Sequence, residues 1–259
     1  MSKLLTVDLS LGFHASDNII RLARVFKALQ ACRLSLEEYY EQVETLTSPR
    51  LSCLFPSPTL VDPSKTLPTL TYRQFFSRAG EPDKFIVDLG NTYTSMYIAT
   101  LGDTDHEVIV KFTARYNEAA HRILADAQLA PALHFCERVI GNLYMVVMDR
   151  VIGRTVWQLQ QKMEIVPPIV LQRVTDAVSL LHANNIVFGD LRDPNIVYAD
   201  NDHVVLVDFD WPGTDGESKY PASLNDDNEW ARDVRAHGIM LKAHDLWQLQ
   251  RLRKLIGQK

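Results

Sequence analysis

Residues 180–211, LLHANNIVFGDLRDPNIVYADNDHVVLVDFDW, leave the rest of the chain little freedom. Leu181 and His182 stand near the end of a helix, and a short apolar run follows at Ile186, Val187 and Phe188. Gly189, Asp190, Leu191 and Arg192 come next and, after Asp193 and Pro194, Asn195. A second apolar strand, residues 204–207, ends on Asp208. The order is strand, polar loop, strand, turn and a further acidic group. A hairpin of this kind can hold metal and phosphate with carboxylate and amide oxygens.

The remaining sequence narrows the class. A formal charge of -5 with no run of Lys or Arg argues against a general nucleic-acid binder. Cys32, Cys53 and Cys136 are scattered, odd in number and without zinc-ligand spacing, so free thiols in a reducing interior are expected. No apolar stretch approaches the ~18 residues of a membrane span, and the N-terminus lacks a signal-peptide core. A cytoplasmic or nuclear protein with no membrane contact is the expectation. No feature bears on oligomeric state.

Along the chain, Ser16 or Asp17 caps a helix expected to run to about Thr47, as one amphipathic helix or two short ones. Pro49, Pro56, Pro58, Pro63 and Pro68 then break regular structure, and this run reads as a connector or a strap across the next domain. Residues 72–79 read as a short helix. KFIVDLG, TSMYIATL and HEVIVKFT read as an antiparallel meander. Residues 115–130 turn helical, and LHFCERVIGNLYMVVMDRV forms a hairpin around Gly141-Asn142. Helices over 168–183 and 237–255 complete the pattern, with a polar loop between Trp211 and about Asn228.

At the opening stretch the chain resembles the protein-kinase-like superfamily. The family's catalytic loop, H-R-D-L-x-x-x-N, has its Asp and Asn at the spacing of Asp190 and Asn195, and its D-F-G turn is matched at Asp208-Phe209. The GDLR..N loop and DFDW turn are most similar to those of fungal kinase-like proteins. Gly189 before Asp190 is also similar to small-molecule kinases such as the choline and aminoglycoside phosphotransferases. The resemblance covers residues 84–255. It departs at Phe188, where the family has His, and at Asp210, where it has Gly. The G-x-G-x-x-G and A-P-E motifs are absent. His244-Asp245-Leu246-Trp247 is similar to the D-x-W start of a large-lobe helix.

The resemblance implies an α+β, two-lobed kinase-like fold with a shortened C-terminal lobe and an N-terminal helical and Pro-rich extension. The implied divisions are 1–82, 83–148 and 149–259. It implies ATP- and Mg²⁺-dependent phosphoryl transfer to a hydroxyl of a protein Ser/Thr or of a small molecule. Asp190 would orient that hydroxyl as catalytic base, and Asn195 and Asp208 would ligate magnesium. Arg192 would contact the γ-phosphate or pair with Asp190. Lys111 would hold the α/β-phosphates with Glu118 as its partner, and Gly90 would stand in the phosphate-covering turn. Met148 would back the adenine pocket, and Asp149 and Val151 would lie in the hinge. A rival class shares these residues: a pseudokinase that binds nucleotide or protein partners without catalysis.

Overall fold

A computed structural model describes residues 16–44, 55–76, 82–83, 95–222, 224 and 228–257. The chain divides into two compact units, Met1–Pro58 and Thr59–Lys259. In the first, α1 (Ser16–Glu44) is one uninterrupted helix, and Arg33 and Glu37 pair one turn apart at 2.8 Å. Phe26, Leu29, Leu34 and Leu36 are exposed on it.

The second unit is mixed α+β with antiparallel sheets. Its first half is a six-stranded sheet, in the order β2-β1-β3-β4-β6-β5. The strands are β1 (Leu70–Phe76), β2 (Pro82–Asp83), β3 (Met96–Leu101), β4 (Glu107–Thr113), β5 (Leu133–Val139) and β6 (Leu143–Asp149). The expected strand KFIVDLG lies outside the described residues. Residues 72–79 were expected to be helical, yet Leu70–Phe76 is a strand. A register shift between Tyr72 and Gln74 breaks its alternation. Tyr72 and Phe75 on β1 meet Tyr97 at 5.6 Å each, and Tyr97 in turn meets Phe112 edge-on. This cross-strand aromatic packing outweighs the local helical pattern.

The Pro-rich run does lie across the sheet from Thr59 onward. Leu60 bridges to Val139, Val61 N–H donates to Arg138 O (3.0 Å), and Ile140 N–H donates to Thr59 O (2.8 Å). Leu60 and Leu67 pack on the Ala99, Val108, Val110, Met145 and Val147 cluster. The described residues 59–76 and 82–83 therefore lie with the sheet.

Helix α2 (Glu118–Asp126) starts three residues later than the pattern predicts, because the Asn117 side chain accepts the Ala120 N–H and caps it. Gln128, at φ 58, takes the chain out beyond its end. The β5–β6 hairpin closes through Gly141 and Asn142, both at positive φ.

The second half begins with β7 (Gly153–Thr155) and α3 (Val156–Gln161), where Thr155 and Gln158 form a reciprocal capping box. Helix α4 (Pro168–Ala183) buries Val170, Val174, Ala177, Val178 and Leu181. Strands β8 (Ile186–Val187), β9 (Ile196–Ala199), β10 (His203–Leu206) and β11 (Gly213–Thr214) follow, in the sheets β10-β9-β7 and β11-β8. Helix α5 (Lys242–Gly257) begins later than residue 237, because Ile239 first bridges to Lys219. One core joins α2, α3, α4 and α5 through Leu124, Leu159, Leu181 and Leu252, with Phe188 and Phe209 inside it. Among the described residues no helix is long and apolar enough to cross a membrane.

Candidate functional site

The loop after α4 is held from behind. Asp245, near the start of α5, accepts the Phe188 N–H (2.8 Å) and the Gly189 N–H (2.9 Å), and its Oδ2 lies 2.9 Å from His182 Nε2. Gly189 sits at φ +78, and a Cβ there would meet Met240 Cε at 2.1 Å. A side chain would be strained in that backbone region and would displace Met240.

The chain then presents Asp190, which is 2% exposed. Arg192 grips its carboxylate with Nε on one oxygen and Nη2 on the other, the latter at 2.8 Å. Asn195 Nδ2 donates to the same carboxylate and to the Asp190 main-chain oxygen, both at 2.9 Å. Burial pushes the Asp190 carboxyl above its ordinary value, although Arg192 and Asn195 oppose it. Arg192 also lies over the rings of Trp211 and Trp230, at 5.9 and 5.6 Å. Of the two roles expected for Arg192, the geometry places it on Asp190.

Beyond β10, Asp208 adopts φ 70, an uncommon backbone for a non-glycine residue. Lys111 reaches it from β4 across 97 residues of sequence: Nζ donates to Asp208 Oδ1 and to Asp210 Oδ1, each at 2.7 Å. Thr113 Oγ1 donates to the other Asp210 oxygen at 2.8 Å. Lys111 is buried and the two carboxylates are half-buried, and partial desolvation disfavours the charged form of each. Lys111 nevertheless stays above its ordinary value and Asp208 below its own, because each stabilises the other's charge. Asp210, half-buried and beside the Asp208 charge, is pushed up to about 6. The Asp208 charge also raises Asp190 and Arg192, so the two clusters share one electrostatic neighbourhood.

Phe209, between the two carboxylates, is fully buried. It stacks on His121 of α2 (4.4 Å, 4°) and meets Phe188 edge-on at 5.7 Å. Its carbonyl accepts the Asn117 N–H at 2.9 Å. The aromatic contact and the helix start thus lock the carboxylate turn to α2.

Several expectations change. Glu118 does not meet Lys111; it pairs with Arg122 at 2.8 Å on the surface of α2. Lys111 is already held by two closer carboxylates, and Glu118 comes too early in the helix to displace them. Gly90 lies outside the described residues. Met148 is buried between β4 and β5, opposite Ile109 and Leu133. The Asp149 N–H donates to Ala132 O (2.9 Å) and the Arg150 N–H to Glu107 O (3.1 Å), so both amides are committed to the protein instead of to an adenine ring. The Asp149 carboxylate turns to His106 and His134. Val151 is half-buried in the segment between β6 and β7.

Sequence reasoning underrated Asp210, which a carboxylate two residues after Asp208 and facing a strand lysine signals only weakly. It passed over His121, whose one sign was its place on the apolar face of α2. A groove of about 430 Å³ lies along α5, lined by Asp193, Glu229, Trp247 and Arg251 among others, and none of Lys111, Asp190, Asp208 or Asp210 lines it. No protein-family model matches the chain, and a search of characterised proteins finds no match either.

Proposed function

We propose that this chain is a two-lobed kinase-like phosphotransferase that moves a phosphoryl group from ATP, with Mg²⁺, to a hydroxyl of a protein or of a small molecule. The observation that carries this reading is the 2.7 Å contact of the Lys111 amine with Asp208, beside a loop that holds Asp190 and Asn195. Phosphoryl transfer asks a protein mainly to position groups and to neutralise charge, and this set has members for each task.

The donors fit a hard divalent cation. Asp208 and Asp210 offer carboxylate oxygens, and Asn195 spends its Nδ2 on Asp190, which leaves its amide oxygen to serve as a ligand. Bound there, magnesium would neutralise charge on the phosphate oxygens. Lys111 would trade one carboxylate for a phosphate oxygen. Asp190, fixed by Arg192 and Asn195, would accept a hydrogen bond from the acceptor hydroxyl and orient it. Residues 59–149 would form the smaller lobe, with Lys111, and residues 150–259 the larger.

A second reading, a nucleotide-binding module without transfer, is favoured by one detail: both Asp190 oxygens already accept hydrogen bonds from Arg192. Two measurements divide the readings. Mg-ATP should raise the melting temperature of the wild type, since ligand bound only to the native state stabilises it. With a hydroxyl acceptor, Asp190→Asn should lower ADP release by about 100-fold or more. A melting shift with equal ADP release from both proteins supports the binding module. No shift and no ADP release above background refutes both.

A further inference from the structure

We propose that His106, His134 and Asp149 form a binding site for a zinc-class divalent cation, independent of the phosphoryl-transfer reading. The sheet order brings them together. Strand β6 lies between β4 and β5, and Asp149 is its last residue. His106 immediately precedes β4, and His134 is the second residue of β5. Each neighbouring strand thus delivers one imidazole to the same carboxylate.

The geometry is convergent. His106 Nε2 lies 2.6 Å and His134 Nε2 2.5 Å from the same oxygen, Asp149 Oδ1. The rings meet edge to face at 5.5 Å, and the ligating atoms all lie within 4.8 Å of one another. The strand is also deformed at this point. Leu133 pairs with Met148 and Phe135 with Val147, so His134 is an extra residue in the ladder. A bulge of this kind re-aims a side chain, and here it aims an imidazole at Asp149.

Register separates this cluster from Lys111. Lys111 lies opposite Val146, and side chains alternate along a strand, so Asp149, three residues on, points to the other sheet face. The charge at Arg150 is already met by Glu107, at 2.7 Å.

The donor set selects the ion. Two imidazole nitrogens and one carboxylate suit zinc and its neighbours, whereas magnesium takes oxygen ligands. Tetrahedral zinc, with bonds of about 2.0–2.2 Å, needs donors roughly 3.3 Å apart. Small rotations of exposed side chains open the present contacts that far. Mutual attraction alone explains the arrangement poorly, because exposed ion pairs contribute little and must order their side chains. Partial exposure leaves a fourth position open to water or to a side chain from another molecule. A bound ion would pin the ends of β4, β5 and β6 where the chain leaves the sheet.

The test uses the full chain, stripped with a chelator and titrated with zinc chloride against a chromophoric indicator. The wild type should bind zinc with a saturable affinity that falls at least about tenfold in His106→Ala and in His134→Ala. His237→Gln and Cys32→Ser should leave that affinity unchanged, and millimolar magnesium should not compete. Cobalt in place of zinc should give tetrahedral visible absorption, and zinc-edge X-ray absorption should count two imidazole nitrogens. These two readouts need only the wild type and decide the matter if the variants fold poorly. Absence of saturable binding overturns the proposal. So does unchanged affinity in the His106→Ala/His134→Ala double variant, or a spectrum without imidazole ligands.

Discussion

Protonating His121 should loosen the turn that carries Asp208 and Asp210, and the cost follows from where the ring sits. His121 has no exposed surface, and Phe209 stacks on it at 4.4 Å. Its Nε2 lies 2.8 Å from Pro131 O, which only accepts, so that nitrogen carries the proton. Nδ1 is then the acceptor for the Tyr116 hydroxyl at 2.5 Å. Both ring nitrogens are satisfied in the neutral form, and a second proton would have to displace that hydroxyl. Burial, aided by the charge on Arg122 and opposed by the Pro131 bond, lowers the imidazole from 6.5 to about 4.

The unfolded chain therefore takes up a proton at this site between those two values while the folded chain does not. Stability from the neutral ring is fully present above 6.5 and drains away as pH falls toward 4. Integrated from near pH 7 to near pH 5, the loss is about 2 kcal/mol. Asp210 opposes it: its raised folded value, about 6, gives stability that is present below 3.8 and lost as pH rises through 6. A difference between variants is needed to isolate His121. Urea unfolding of the wild type and His121→Gln should show a gap at neutral pH that narrows by about 2 kcal/mol near pH 5. A gap that stays constant across that range would refute the account of the buried neutral ring.

Two further outcomes concern the same region. Asp245→Ala leaves the Phe188 and Gly189 N–H groups inside the protein without their acceptor; unfolding free energy should fall by about 2–5 kcal/mol in urea titrations, and Asp245→Asn should recover part of the loss. Lys111→Met removes the cation between Asp208 and Asp210. It should cost about 1–3 kcal/mol, tempered by the partial exposure of Asp208, and should abolish any melting shift with Mg-ATP.

How much was legible beforehand differs by element. Helix α4 was readable to the residue, because its apolar period is strong and Pro168 marks its start. Strands β3, β4, β5 and β6 were readable because β-branched and aromatic runs alternate between turn residues. Strand β1 was not, since TYRQFF fits either period and only Tyr97 and Ala99 across the sheet settle it. Asp190, Asn195 and Asp208 stood out by spacing within one short stretch. Glu118 was misassigned because the choice of partner for Lys111 is made by distance, and the distances belong to residues about a hundred positions away.

The sequence by itself determined most local matters: which segments other than β1 are helix or strand, where Pro and Gly interrupt them, and which polar side chains crowd one loop. Tertiary structure alone decided the pairings. It placed Lys111 on Asp208 and Asp210, Asp245 behind Phe188 and Gly189, His121 on Phe209, and two imidazoles on Asp149. The physical reason is range. Propensity and hydrophobic period act over a few residues, whereas ion pairs, hydrogen bonds and ring stacking act through space once the core has brought distant strands and helices together.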